Sequence, residues 1–197
     1  MVKYTLREKI IKFLIENKED HSIMEISKKL EVDYKNTFQA IKSLGSKVYS
    51  KKKHGNSQLI SFGFKFDPEV LAVEEKRKDD LLKKNPKLKL INQEISEEDY
   101  PFIIVLIFGS VAKGKNISSS DIDVCIISDN RKKASSISEK LNLLTLKTEI
   151  QEFTTGEFIS MIEMKQNNLG NEIIKSNVIL YGIENYYNLI SGWMKKE

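Results

Sequence analysis

Cysteine is nearly missing from this 197-residue sequence, with Cys125 as its only thiol. An internal disulfide framework and any multi-cysteine metal site are therefore excluded. Three prolines and nine glycines are too few for a disordered or fibrous chain. Long apolar runs are absent as well. The longest, Phe102 to Phe108, has seven residues, where a bilayer span needs ~20. The opening MVKYTLREKI lacks the basic-then-apolar order of a secretion signal. A cytoplasmic protein with no membrane partner is expected.

Acid is missing from one stretch in particular. Residues 34–66 hold seven lysines and not one Asp or Glu. Residues 1–66 together have 14 Lys/Arg against 7 Asp/Glu, a net of +7, while residues 67–197 net −3. A local field of one sign points to an anionic partner, and nucleic acid is the obvious candidate.

The basic part reads as helical. Leu6, Ile10, Phe13 and Leu14 recur at helical spacing behind a Thr5/Glu8 capping box. A second box, Ser22/Glu25, opens a short helix presenting Ile23, Ile26 and Leu30. After the turn Glu31-Val32-Asp33 a third helix runs to Leu44. Its expected apolar side is Tyr34, Phe38, Ile41 and Leu44. Two strands follow, 47–50 and 58–62, joined by a lysine-rich loop with a Gly55-Asn56 turn signal. A helix-turn-helix followed by a basic hairpin resembles the winged-helix domains of transcription regulators. That resemblance implies DNA as partner, and commonly a homodimer. Asn36 and Gln39 would read base edges, and Lys35, Lys42, Lys51, Lys52 and Lys53 would contact phosphates. A three-helix module for protein docking is the alternative.

Residues 67–100 are charged and helix-prone, broken at Asn85-Pro86, and read as a helical linker. Residues 101–197 read as a second domain. Phe102–Phe108 is expected as a strand buried on both faces. Gly109-Ser110 then opens a short turn or helix, where free backbone N–H groups attract phosphate. Asp121-Ile122-Asp123-Val124-Cys125-Ile126-Ile127 reads as the next strand, with Asp121 and Asp123 on one face. Two adjacent carboxylates repel unless a cation lies between them, and Mg²⁺ suits carboxylates and phosphates together. A helix over roughly 132–141, a strand over 144–153, helices near 157–164 and 169–174, a strand at 178–182 and a terminal helix complete the pattern. On the 144–153 strand, Leu144, Leu146 and Ile150 define the packed face. Glu149 then faces the open side, and Glu152 the packed one.

The run GSVAKGKNISSSDIDV resembles the signature of the DNA-polymerase-β-like nucleotidyltransferases, especially their minimal members. Gly-Ser is followed by ten residues and then Asp-x-Asp, here between Ser110 and Asp121. The resemblance covers roughly residues 102–183. The expected fold is α+β: an N-terminal winged helix-turn-helix (1–66), a helical linker (67–100) and a small mixed-sheet nucleotidyltransferase domain (101–197). The resemblance implies a two-metal Mg²⁺ site on Asp121, Asp123 and Glu149, the last as third ligand or general base. It implies an NTP, with ATP foremost, at Gly109, Ser110, Lys113 and Ser120. In-line attack of a hydroxyl on the α-phosphorus would release pyrophosphate. The acceptor would lie on a protein, RNA or small molecule. Minimal members often act as antitoxins that nucleotidylate a partner ribonuclease toxin, which makes such a protein the analogous partner here. The alternative is a non-catalytic, nucleotide-sensing winged-helix transcription regulator.

Overall fold

The computed structural model describes residues 2–55, 57–114, 121–164 and 167–194. Contacts divide the chain into two units, Met1–Lys76 and Arg77–Glu197.

In the first unit, α1 (Leu6–Glu16) and α2 (Ile23–Leu30) both begin with complete capping boxes. In the second box Ser22 Oγ accepts from the Glu25 N–H at 3.2 Å and Glu25 returns the bond at 2.7 Å. The chain leaves α2 through Glu31, in the left-handed region at φ 55°. It then enters α3 (Tyr34–Ser43), capped by the Asp33 carboxylate at 3.1 Å from the Asn36 nitrogen. A two-residue β1 (His21–Ser22), β2 (Tyr49–His54) and β3 (Ser57–Phe62) form an antiparallel sheet in the order β1-β3-β2. The β2–β3 register runs from Tyr49↔Phe62 to His54↔Ser57. Asn56 of the expected turn lies outside the described residues. Ile10, Ile11, Leu14, Ile26, Ile41, Val48 and Ile60 supply the buried core.

The inward face of α3 differs from the sequence expectation. Tyr34 and Phe38 are exposed, and Thr37, Ile41 and Leu44 are buried. Thr37 can occupy a core position because its hydroxyl donates to the Asp33 carbonyl at 2.9 Å, leaving only its methyl to pack. That choice turns the helix so that the first-turn aromatic and the one after it face solvent.

Residues 67–100 are helical. They form α4 (Pro68–Lys84) and α5 (Leu88–Ser96). The division between units falls within α4, and Leu88, Ile91 and Ile95 of α5 belong to the second unit's core. No described helix is long and apolar enough to cross a membrane.

The second unit is built on a mixed sheet in the order β6-β5-β4-β7. β4 (Ile104–Phe108) pairs antiparallel with both β5 (Ile122–Ile127) and β7 (Asn177–Tyr181). β6 (Thr148–Phe153) runs parallel to β5, reached through α7 (Arg131–Leu143). α5 and α7 cover one face, closing over Val105, Ile107, Ile122, Val124 and Ile126. The alternate positions, among them Asp123 and the fully buried Cys125, point the other way. Burial pushes the Cys125 thiol pKa up. α8 (Thr155–Glu163) lies along β6 and α10 (Ile183–Met194) along β4, with α9 (Leu169–Lys175) against α8. Every residue of β4 is buried, as a central strand covered on both faces should be. The strand starts two residues later than the apolar run, and Phe102 is 71% exposed.

One carboxylate ties this unit together. The Glu98 side chain is 2% exposed and ion-pairs with both Lys133 and Lys140 of α7, the latter at 2.5 Å. Those two ammonium groups hold its pKa below the usual carboxylate value.

Candidate active site

The central strand delivers the chain to a four-residue helix, α6 (Gly109–Ala112). Gly109 sits at φ +67° and is buried. A Cβ there would lie 1.9 Å from Asp123 Oδ2. Glycine is therefore required both by the left-handed backbone and by the carboxylate packed against it. The Ser110 backbone N–H donates to Asp123. One of the N–H groups that sequence reasoning offers to phosphate is thus engaged with a carboxylate.

Parallel pairing of β5 with β6 sets Asp123 opposite Glu149 in register. Just ahead of these strands, the Ile122 N–H donates to the Lys147 carbonyl at 2.9 Å. Across the same step, Lys147 Nζ lies 2.6 Å from Asp121 Oδ1. That oxygen is closed to solvent and accepts no hydrogen bond from the described residues. Its contact with Lys147 is one of charge rather than of directed bonding. Glu149 is exposed and accepts from Gln151 Nε2 at 3.2 Å. Glu152 turns to the opposite face, where Ser135 and Ser138 of α7 donate to it. The alternation expected for this strand thus holds from Glu149 to Glu152.

Asp123 is the electrostatic centre of the group. Its pKa lies above the usual aspartate value, first because it is partly buried. The negative charges of Glu149, Asp121 and Glu172 add to the rise, and the Ser110 N–H opposes it. Glu172, in the first turn of α9, is the member that sequence reasoning missed. It pairs with Lys113 at 3.2 Å, the lysine expected at the triphosphate. Lys147 was missed as well. Nothing local marks either residue, because α9 brings Glu172 to the site through tertiary packing and the pairing of β5 with β6 brings Lys147. Ser120 lies outside the described residues, as do positions 115–119 of the motif.

The chemistry of this donor set fits a hard divalent cation. It offers carboxylate oxygens only, one of them shielded, paired in charge with Lys147 and, among the described residues, without a hydrogen bond, beside a glycine that leaves room for the Asp123 carboxylate. Among the described residues, no three His, Cys, Asp or Glu side chains converge closely enough to enclose a metal by themselves. A cation held by one or two carboxylates plus substrate phosphates needs no such cage.

In the first unit, Lys35, Asn36, Gln39, Lys42, Lys51, Lys52 and Lys53 are all exposed. Lys52 has an ion pair to Asp20 at 3.5 Å, and Lys51 lies 5.2 Å from the Tyr49 ring centre.

Residues 89–186 match the family model described as Polymerase beta, Nucleotidyltransferase. The match begins within α5 and ends within α10, taking in all four strands of the second sheet and every carboxylate of the site. It supports the nucleotidyltransferase superfamily for this segment, with NMP transfer as the general chemistry. No curated protein matches the sequence.

Proposed function

We propose that this nucleotidyltransferase domain transfers NMP from an NTP, ATP foremost, to a hydroxyl on a protein, RNA or small molecule. The observation that carries the reading is Asp123, pressed against Gly109 and raised in pKa first by its burial and then by the carboxylates around it. Such a cluster gains most from a positive charge. Asp121, Asp123 and Glu149 would hold Mg²⁺, which when bound would neutralise the triphosphate and stabilise the charge that develops on pyrophosphate.

The chain's own residues do the rest. Gly109 lets the backbone pass close to the carboxylates. Lys113, positioned by Glu172, offers its ammonium to the phosphates, and Ser120 is assigned to the nucleotide as well. Glu149, exposed on the open face, takes the proton of the attacking hydroxyl as the new oxygen–α-phosphorus bond forms and the bond from the α-phosphorus to the α,β-bridging oxygen breaks, releasing pyrophosphate. A partner toxin nucleotidylated on a hydroxyl is one acceptor of this class.

The first unit is read as a winged helix-turn-helix, with α3 as recognition helix and the β2–β3 hairpin as wing. Its support is the acid-free surface of α3 and β2. It would bind duplex DNA through Lys35, Lys42, Lys51, Lys52 and Lys53, with Asn36 and Gln39 at base edges. A homodimer on a two-fold site suits that reading.

The test is release of pyrophosphate and covalent labelling from labelled ATP with Mg²⁺ and candidate acceptors. Loss of both in Asp121→Ala and Asp123→Ala is the expected result. The Lys147–Asp121 pair favours one second reading, a regulator that senses nucleotide without transfer. Tight nucleotide binding with no pyrophosphate release would identify it. DNA binding is tested by titration across salt concentrations. Replacing Lys51, Lys52 and Lys53 by Ala should lower the slope of log affinity against log salt by about 1 per lysine.

A further inference from the structure

Tyr34 and Phe38 are 46% and 41% exposed, although α3 belongs to a well-packed unit. Their rings stack with centres 6.3 Å apart and planes 24° from parallel. The inward positions of α3 are already taken by Thr37, Ile41 and Leu44, so repacking this helix cannot bury the pair. Lys35 and Lys42 lie beside them at helical spacing, with Gln39 and then Asn36 further round the exposed side. The exposed side of α3 is thus apolar along the edge that borders the core and basic and amide-bearing beyond it, with no acid between residues 34 and 66.

That combination selects among partners. The positive surround complements a polyanion, and the side-chain amides complement base edges. In the major groove of duplex DNA the base-edge group that is apolar is the thymine C5-methyl. Tyr34 and Phe38 are one turn apart, ~6 Å along the helix axis, which approaches two base-pair steps of ~3.4 Å. Tyr34 lies in the first turn of the helix, where residues of a groove-bound helix meet bases.

We propose that Tyr34 and Phe38 read thymine methyl groups while Gln39, further round the same exposed side, reads adenine, so that α3 selects A·T base pairs. The inference rests on the DNA-binding reading given above and adds a specificity to it.

The full chain is used to enrich binding sites from a random duplex pool. The enriched duplex is then compared with the same sequence carrying deoxyuridine in place of thymidine. Expected are thymine-bearing sites and a loss of about fourfold in affinity for each contacted methyl removed. The Tyr34→Ala/Phe38→Ala variant, altered only at exposed positions, should bind both duplexes alike and keep the wild-type salt slope. Salt-dependent binding without thymine enrichment overturns the inference but spares DNA binding. So does equal wild-type affinity for thymine and uracil duplexes, or a variant that still distinguishes them. A variant with altered sedimentation mass and unchanged DNA affinity overturns it too, and assigns the rings to a protein contact. No affinity for any duplex at any salt concentration removes the DNA-binding reading itself.

Discussion

The Oδ2 atom of Asp123 lies where the side chain of residue 109 would begin, 1.9 Å from the position of a Cβ there. The two residues sit on different strands' ends, yet each defines the other's environment. Gly109 makes space for the carboxylate. The carboxylate, through the Ser110 N–H, fixes the turn that Gly109 opens.

Gly109→Ala should therefore destabilise the fold by about 2–4 kcal/mol, from left-handed strain and the overlap together. Urea denaturation measures the loss. Adding Asp123→Ala should restore the part due to overlap, leaving about 1–2 kcal/mol of backbone strain. A double variant no more stable than Gly109→Ala alone would contradict this account.

Asp123→Asn should raise stability at neutral pH while abolishing transfer. In the folded state the carboxyl binds its proton more tightly than in the unfolded chain. Its contribution is therefore most favourable below the unfolded pKa near 3.8, and is lost as pH rises through the higher folded value. Asparagine can still accept from the Ser110 N–H without carrying the charge. The expected gain is a few tenths to about 1 kcal/mol by denaturant titration at pH 7. A loss of stability would mean that Asp123 serves packing rather than function.

Lys147→Met should tighten divalent cation binding. The ammonium competes for Asp121, but its side chain is 76% exposed, so the pair contributes at most about 1 kcal/mol. Calorimetric titration with Mn²⁺ should show an increase of up to about fivefold in affinity. Unchanged or weaker binding would place the cation elsewhere.

Glu98→Gln should cost about 1–3 kcal/mol, since a buried acceptor of two charged donors is replaced by a neutral amide. The folded pKa of Glu98 is lowered, so its contribution is present above the unfolded value near 4.5. It fades as pH falls through the lower folded value. The gap between wild type and variant in thermal melts should accordingly narrow in acid. A gap independent of pH would argue for shape rather than charge.

Local signals carried much of this structure. The caps at Thr5 and Ser22 mark two helix starts to the residue, because a capping box is complete within four consecutive residues. The phase of β6 was readable from Leu146 and Ile150, and it puts Glu149 rather than Glu152 beside Asp123. Tyr34 and Phe38 were misjudged because helical spacing weighs side chains by apolarity. Thr37, self-satisfied through its own turn, outcompetes them for the interior. Glu172 and Lys147 were illegible for another reason: their partners lie 59 and 26 positions away along the chain, and nothing in the spacing joins them.

Cys125, two positions past Asp123 on β5 and wholly enclosed, makes the protein its own reporter. With no second sulfhydryl to confuse the signal, an alkylating reagent can react only as often as the sheet beside the carboxylates opens. Whatever settles onto those carboxylates should slow that clock, so occupancy of the site can be timed before any acceptor is known.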